Sequence, residues 1–184
     1  ITEKNIKDVL TKLNFSDVLE KWSEDEMLEF CAEIRKFSKP MIIACNKIDL
    51  PGSKENFERL KKQFPDHIFV ACSAEAELAL RKAAKEGLIE YVPGSNDFIV
   101  KKELPEKQKK ALEFIKENIL KQYGSTGVQE VLNKIIFDIL KYVTIFPAGD
   151  KLEDSYGRTL PDCFLMPPNS TALDFAFRLH TDIG

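Results

Sequence analysis

The chain has 184 residues, a formal net charge of −3 and a pI near 5.6. That length allows one large or two small domains, and the acidic balance argues against a broad basic surface and so against DNA. No apolar run approaches the roughly 18 residues of a membrane span, and 43% hydrophobic with 31% charged residues is ordinary for a soluble, cytoplasmic globular protein.

The first forty residues read as helices. Ile6, Val9, Leu10 and Leu13 fall on one helical face. Phe15, Val18, Leu19 and Trp22 suggest a short second helix after Ser16, with Trp22 in the core. Ser23-Glu24-Asp25-Glu26 fits a capping box, and the helix it opens carries Met27, Leu28, Cys31 and Ile34. Pro40 ends that helix, because proline disfavours helical backbone at the residue before it.

Met41-Ile42-Ile43-Ala44-Cys45 is then a short apolar run that stops at Asn46-Lys47-Ile48-Asp49. It predicts a buried strand of a parallel sheet. Ligands of open α/β sheets bind beyond the carboxyl ends of the strands, where Asn46, Lys47 and Asp49 would sit. Their chemistry suits guanine. An ionised Asp49 can accept from N1–H and the 2-amino group together, whereas adenine would leave the carboxylate unpaired. Asn46 can hydrogen-bond the ring, and the Lys47 methylenes can lie over the purine face. The bland alternative is a polar turn completed by Pro51-Gly52.

Pro51-Gly52-Ser53 predicts a turn with Ser53 as helix cap. Phe57, Leu60 and Phe64 supply the buried face of that helix, and Pro65 breaks it. His67 to Cys72 predicts a second buried strand, parallel to the first through a right-handed crossover. Ser73-Ala74 follows at once, with Ser73 as the cap of an Ala-rich helix over 75–86. Gly87 ends that helix.

The segment 88–100 is less regular. Lys101 to Lys110 is charge-rich, and a solvated helix start is favoured there over an RNA-facing patch. A helix from Glu106 carries Leu112, Ile115 and Ile119 and ends at Tyr123-Gly124. Gly124-Ser125-Thr126-Gly127 lacks the phosphate-loop pattern and predicts an interhelical turn. Thr126 to Gln129 fits a second capping box for an amphipathic helix with Val128, Val131, Leu132, Ile135, Ile136, Ile139 and Leu140. At Tyr142–Phe146 the pattern changes to strand, and Pro147-Ala148-Gly149-Asp150 turns. Thr171 to Asp174 fits a third capping box, opening a helix to about Leu179. The four cysteines, Cys31, Cys45, Cys72 and Cys163, read as buried free thiols of a reducing cytosol, and His67 and His180 lack metal-ligand spacing, so no metal site is expected.

Asn46-Lys47-Ile48-Asp49 resembles the fourth motif, NKxD, of P-loop GTPases, and Ser73-Ala74, one strand-helix unit later, resembles the fifth. The residues Val143 to Pro147, Leu160-Pro161-Asp162, Thr171 to Ala176 and His180-Thr181-Asp182-Ile183-Gly184 resemble the start of a TGS domain, a small β-grasp fold similar to ubiquitin. In that order the motifs resemble the Obg-related GTPases near the YchF branch, and within it the archaeal and eukaryotic group whose NKxD is intact. YchF proteins proper have an altered fourth motif and prefer ATP, so the intact Asn46, Lys47 and Asp49 favour GTP.

The resemblance implies an α/β fold: the C-terminal part of a P-loop GTPase parallel sheet with a helical insertion (1–38) and following helices (39–141), then an incomplete β-grasp TGS domain (142–184). It implies guanine recognition by Asn46, Lys47, Asp49, Ser73 and Ala74, and a parent protein that hydrolyses GTP in a ribosome- or RNA-linked role through the TGS domain. No phosphate loop stands in the chain and no D-x-x-G switch precedes the NKID strand. Phosphate, Mg²⁺ and catalytic residues are therefore expected upstream, in a parent of which this chain reads as a fragment. The rivals are a non-catalytic ribosome- or RNA-binding adaptor and an ATPase.

Overall fold

The computed structural model describes residues 1–16, 18–147, 153, 157–158 and 163–179. Most of the turn expected at 147–150, and Leu160 to Asp162 and His180 to Gly184, on which part of the TGS resemblance rests, lie outside the described residues. Packing divides the chain into two units, Ile1–Cys72 and Ser73–Gly184.

The first unit opens with α1 (Glu3–Leu13), capped by Thr2, and a single 3₁₀ turn, Leu19–Lys21, where a short helix was expected. Trp22 is half-buried rather than core. Its indole N–H donates to the Ser16 carbonyl at 2.7 Å, and its ring meets Phe15 and Phe30 edge-on at 5.4 and 5.0 Å. The Ser23/Glu26 capping box forms in both directions and starts α2 (Glu24–Ser38). Only Ile34 of the expected apolar face of α2 is buried. Met27 and Cys31 are exposed and Leu28 is 70% exposed.

β1 (Ile42–Cys45) and β2 (Ile68–Ala71) pair in parallel across α3 (Ser53–Gln63), in the register Ile42 with Ile68 to Cys45 with Ala71. Two more bonds extend the ladder past the strands: Cys72 N–H donates to the Cys45 carbonyl, and Ile48 N–H to the Cys72 carbonyl, both at 3.0 Å. The strands are less buried than their apolar sequences predict. Ala44 and Ile68 are exposed, since a two-stranded sheet leaves each strand an open edge. α3 buries Phe57, half-buries Leu60 and exposes Phe64. Ser53 does not cap α3. Gly52, at φ +78°, occupies the cap, while the Ser53 hydroxyl turns back to the Ile48 and Leu50 carbonyls.

The second unit holds a core of Ala76, Leu80, Ile89, Tyr91, Phe98, Leu112, Ile115, Ile119 and Leu120. α4 (Ala74–Lys85) buries Leu80 but exposes Leu78. It stops where Gly87 N–H donates to Ala84 and Leu88 N–H to Ala83, the paired bonds of a Schellman end that needs the positive φ of Gly87. The segment after it, irregular in sequence, is a hairpin of β3 (Ile89–Glu90) and β4 (Ile99–Val100). α5 (Glu106–Ile115) continues through a π segment, Lys116–Leu120, to a last turn, α6 (Lys121–Tyr123). The amphipathic segment is α7 (Val128–Asn133) with a second π segment, Lys134–Ile139. β5 (Val143–Ile145) and β6 (Phe164–Met166) pair antiparallel, and α8 (Ala172–Leu179) packs on them through Phe175 against Phe164 at 5.7 Å. The Thr171/Asp174 capping box forms as read.

None of the four cysteines forms a disulfide, and only Cys72 is buried. Cys45 is half-buried, and Cys31 and Cys163 are exposed. No helix of the described residues is long and apolar enough to cross a membrane.

Candidate functional site

The chain leaves β1 through a turn that sorts its side chains by burial. Ile48 is 5% exposed and is the anchor, tied by its N–H to Cys72. Asn46 and Lys47 are exposed and Asp49 is half-buried on the other side of that anchor. The strand thus ends on one buried apolar residue, with Asn46 and Lys47 left exposed before it. The turn is held from within. Asn46 N–H donates to Ala44 at 3.0 Å, the Asn46 Oδ1 accepts from Lys47 N–H at 2.8 Å, and Leu50 N–H donates to Lys47 at 3.2 Å. Ser53 braces the same turn from α3, with its hydroxyl 2.7 Å from the Ile48 carbonyl. Lys47 adopts φ +65°, a left-handed backbone that non-glycine residues seldom hold and that concentrates at ligand-contacting turns. Burial pushes the neighbouring Cys45 thiol up, which keeps it protonated and unreactive.

The other two predicted residues open the second unit. Ser73 is 1% exposed and is the N-cap of α4, its Oγ accepting from Ala76 N–H at 3.4 Å, while Ala74 is exposed at the first helical position. Ser73 N–H donates to the Thr126 carbonyl at 2.9 Å.

Below Ser73 lies a group not anticipated from sequence. Glu77 is 4% exposed and accepts three hydrogen bonds: from Thr126 Oγ1 and Arg81 Nε at 2.6 Å, and from Tyr91 Oη at 2.8 Å. Burial pushes its carboxyl up, but the bonds from Thr126, Arg81 and Tyr91 outweigh burial and hold it below the ordinary glutamate value. Burial and then the Glu77 carboxylate push the Tyr91 hydroxyl up to about 12. The second expected capping box is consequently not formed. Gly127, at φ +81°, caps α7, Thr126 spends its hydroxyl on Glu77, and Gln129 bonds Asn133. The missed signal was Glu77 itself, a carboxylate on the Ala76, Leu80 face of α4.

An open cavity of about 430 Å³ between Gly94, Tyr123, Gln129, Lys134 and Phe137 is lined by none of the five predicted residues. Among the described residues no cluster of three or more His, Cys, Asp or Glu could hold a metal ion.

Residues 44–150, more than half of the chain, match the family described as Obg-like GTPase YGR210-like, G4 motif-containing domain. The chain belongs to this Obg-like GTPase family. It is 42% identical over 186 residues to an uncharacterized GTP-binding protein of Methanocaldococcus jannaschii, covering 100% of this chain and 47% of that protein. It is 30% identical over 175 residues to an uncharacterized GTP-binding protein of Schizosaccharomyces pombe, covering 89% and 42%. The crystal structure of a GTP binding protein from Pyrococcus horikoshii OT3 superposes with a TM-score of 0.65 at 42% identity, over 99% of this chain and 47% of that one. This Obg-like chain thus spans about half the length of the relatives it matches. The matched stretch contains both the Asn46–Asp49 turn and Ser73-Ala74.

Proposed function

We propose that this chain supplies the guanine-reading part of a GTP-binding protein. One observation supports the reading: in a chain of the Obg-like GTPase family, the turn after β1 buries Ile48, leaves Asn46 and Lys47 exposed and Asp49 half-buried, and is ordered by bonds within the turn. Asp49 accepts from guanine N1–H and the 2-amino group, Asn46 bonds the ring and steadies the turn, and the Lys47 stem covers one face of the base. The backbone N–H at Ser73-Ala74 donates to O6. The triphosphate and Mg²⁺ are held by motifs this chain does not contain, so no step of hydrolysis is assigned to its residues. The full-length protein hydrolyses GTP, and the segment from Val143 to Gly184, with its β5–β6 hairpin and α8, is the start of a TGS domain that directs it to the ribosome or another RNA.

The test is Asp49→Asn in the full-length protein. Xanthine carries a carbonyl in place of the 2-amino group, so the amide should weaken GTP by roughly a hundredfold or more and strengthen xanthosine triphosphate. Unchanged GTP affinity in that variant removes Asp49 from the site.

A further inference from the structure

The 430 Å³ cavity of the second unit is within the range of small-ligand sites, and guanine recognition makes no use of it. Two rows of side chains form one wall: Gln129, Asn133 and Phe137, and beside them Glu130, Lys134 and Asp138. The rows exist because the helix changes pitch. A step of four residues overshoots an α turn of 3.6 residues and falls short of the wider π turn. The step from α7 into the π segment therefore undoes the drift of the step before it, and side chains eight residues apart line up. A π segment at such a wall is a frequent mark of a functional site. The Gly94 loop borders the same wall. At φ +88° it comes so close that a Cβ on Gly94 would lie 3.1 Å from Gln129.

The chemistry of the lining selects its ligand. It carries the carboxylates of Glu130 and Asp138 against the single ammonium of Lys134. Lys134 stands 3.6 Å from Glu130, while Asp138 has no ion-pair partner among the described residues. Phe137 is 43% exposed beside these charges. Gln129 gives its side-chain N–H to Asn133 Oδ1 at 3.0 Å, which leaves the Gln129 oxygen as an acceptor. A carboxylate, an amide oxygen and an open aromatic face together suit a guanidinium, a planar cation that donates as a fork and stacks on rings. The same carboxylates repel phosphate, which disfavours nucleic acid.

We propose that this cavity binds an arginine side chain of a partner protein: Asp138 and Gln129 accept from the guanidinium, and Phe137 covers its face. The site lies wholly within residues 94–138 and is independent of the guanine reading.

The test is fluorescence anisotropy on the full-length protein with a labelled pentapeptide of alternating glycine and arginine. The same peptide with lysine or citrulline in place of arginine, and a labelled oligouridine, are measured beside it. The arginine peptide should bind most tightly. Citrulline keeps the shape without the charge and should lose about tenfold, the worth of a charge-assisted hydrogen bond. Asp138→Asn should cost the arginine peptide a similar factor. Phe137→Leu should weaken it about threefold and lower its advantage over the lysine peptide. Both side chains are exposed, so neither change threatens the fold. Glu113→Gln, which removes the same charge outside the cavity, should leave the affinity unchanged. No binding of the arginine peptide, or equal losses in Asp138→Asn and Glu113→Gln, would overturn the proposal. Oligouridine binding that Phe137→Leu weakens and Asp138→Asn strengthens would make the cavity a nucleic-acid site and overturn it as well.

Discussion

Lys47 holds a backbone that its Cβ disfavours, at φ +65°. The left-handed region costs an L-residue roughly 1–2 kcal/mol, while glycine in the same position loses roughly 0.5–1 kcal/mol more backbone entropy on folding than alanine. The two effects nearly offset, so Lys47→Gly should change stability by no more than about 1 kcal/mol by urea titration. It should still weaken GDP severalfold, because the stem no longer covers the purine. The polar residues of this turn were legible because an apolar run stops on them. The left-handed Lys47 was not, since no glycine or asparagine stands there to announce it.

Elements were legible where a local bond decides them and misread where a distant one does. The Ser23/Glu26 and Thr171/Asp174 boxes involve partners three residues apart, and both form. Thr126 has the same local pattern, but its hydroxyl goes to Glu77, 49 positions away, and no window of sequence contains that choice. Tyr91 gives this group a pH signature. Its hydroxyl is pushed up to about 12 by burial and by Glu77, so the folded state keeps the proton longer than the unfolded one. The stability is full below about pH 10 and is lost as pH rises from there through the folded value. Tyr91→Phe should lower the urea midpoint at pH 8 and reduce the further loss between pH 10 and 12. Glu77 has the opposite sign. Its carboxyl is depressed on balance, so its contribution is present above about pH 4.3 and fades as pH falls through the folded value.

Across the whole chain, core density differs between the two units. The second unit buries Leu80, Ile119 and Leu120 completely or nearly so, whereas among the described residues of α1 and α2 only Val9 and Ile34 are buried. Local opening is easiest where few apolar contacts must break. Amides of α4 and of residues 112–120 should exchange with deuterium slowest, and those of α1 and α2 much faster. Equal protection in both would contradict that ranking. The mixed α/β order was legible because the apolar period changes at Met41 and again at Tyr142. The β3–β4 hairpin was not, since two paired residues per strand are too few for an alternation to show.

Thr126 also imposes an order on synthesis. Residue 73 leaves the ribosome long before residue 126, and until then the start of α4 lacks both the carbonyl and the hydroxyl that orient it. At about 5–20 residues per second, the 49 positions from Glu77 to Thr126 take roughly 2–10 s to make. During that interval the Glu77 side chain lacks one of the three donors that satisfy its carboxylate, so the start of α4 is completed only late in translation.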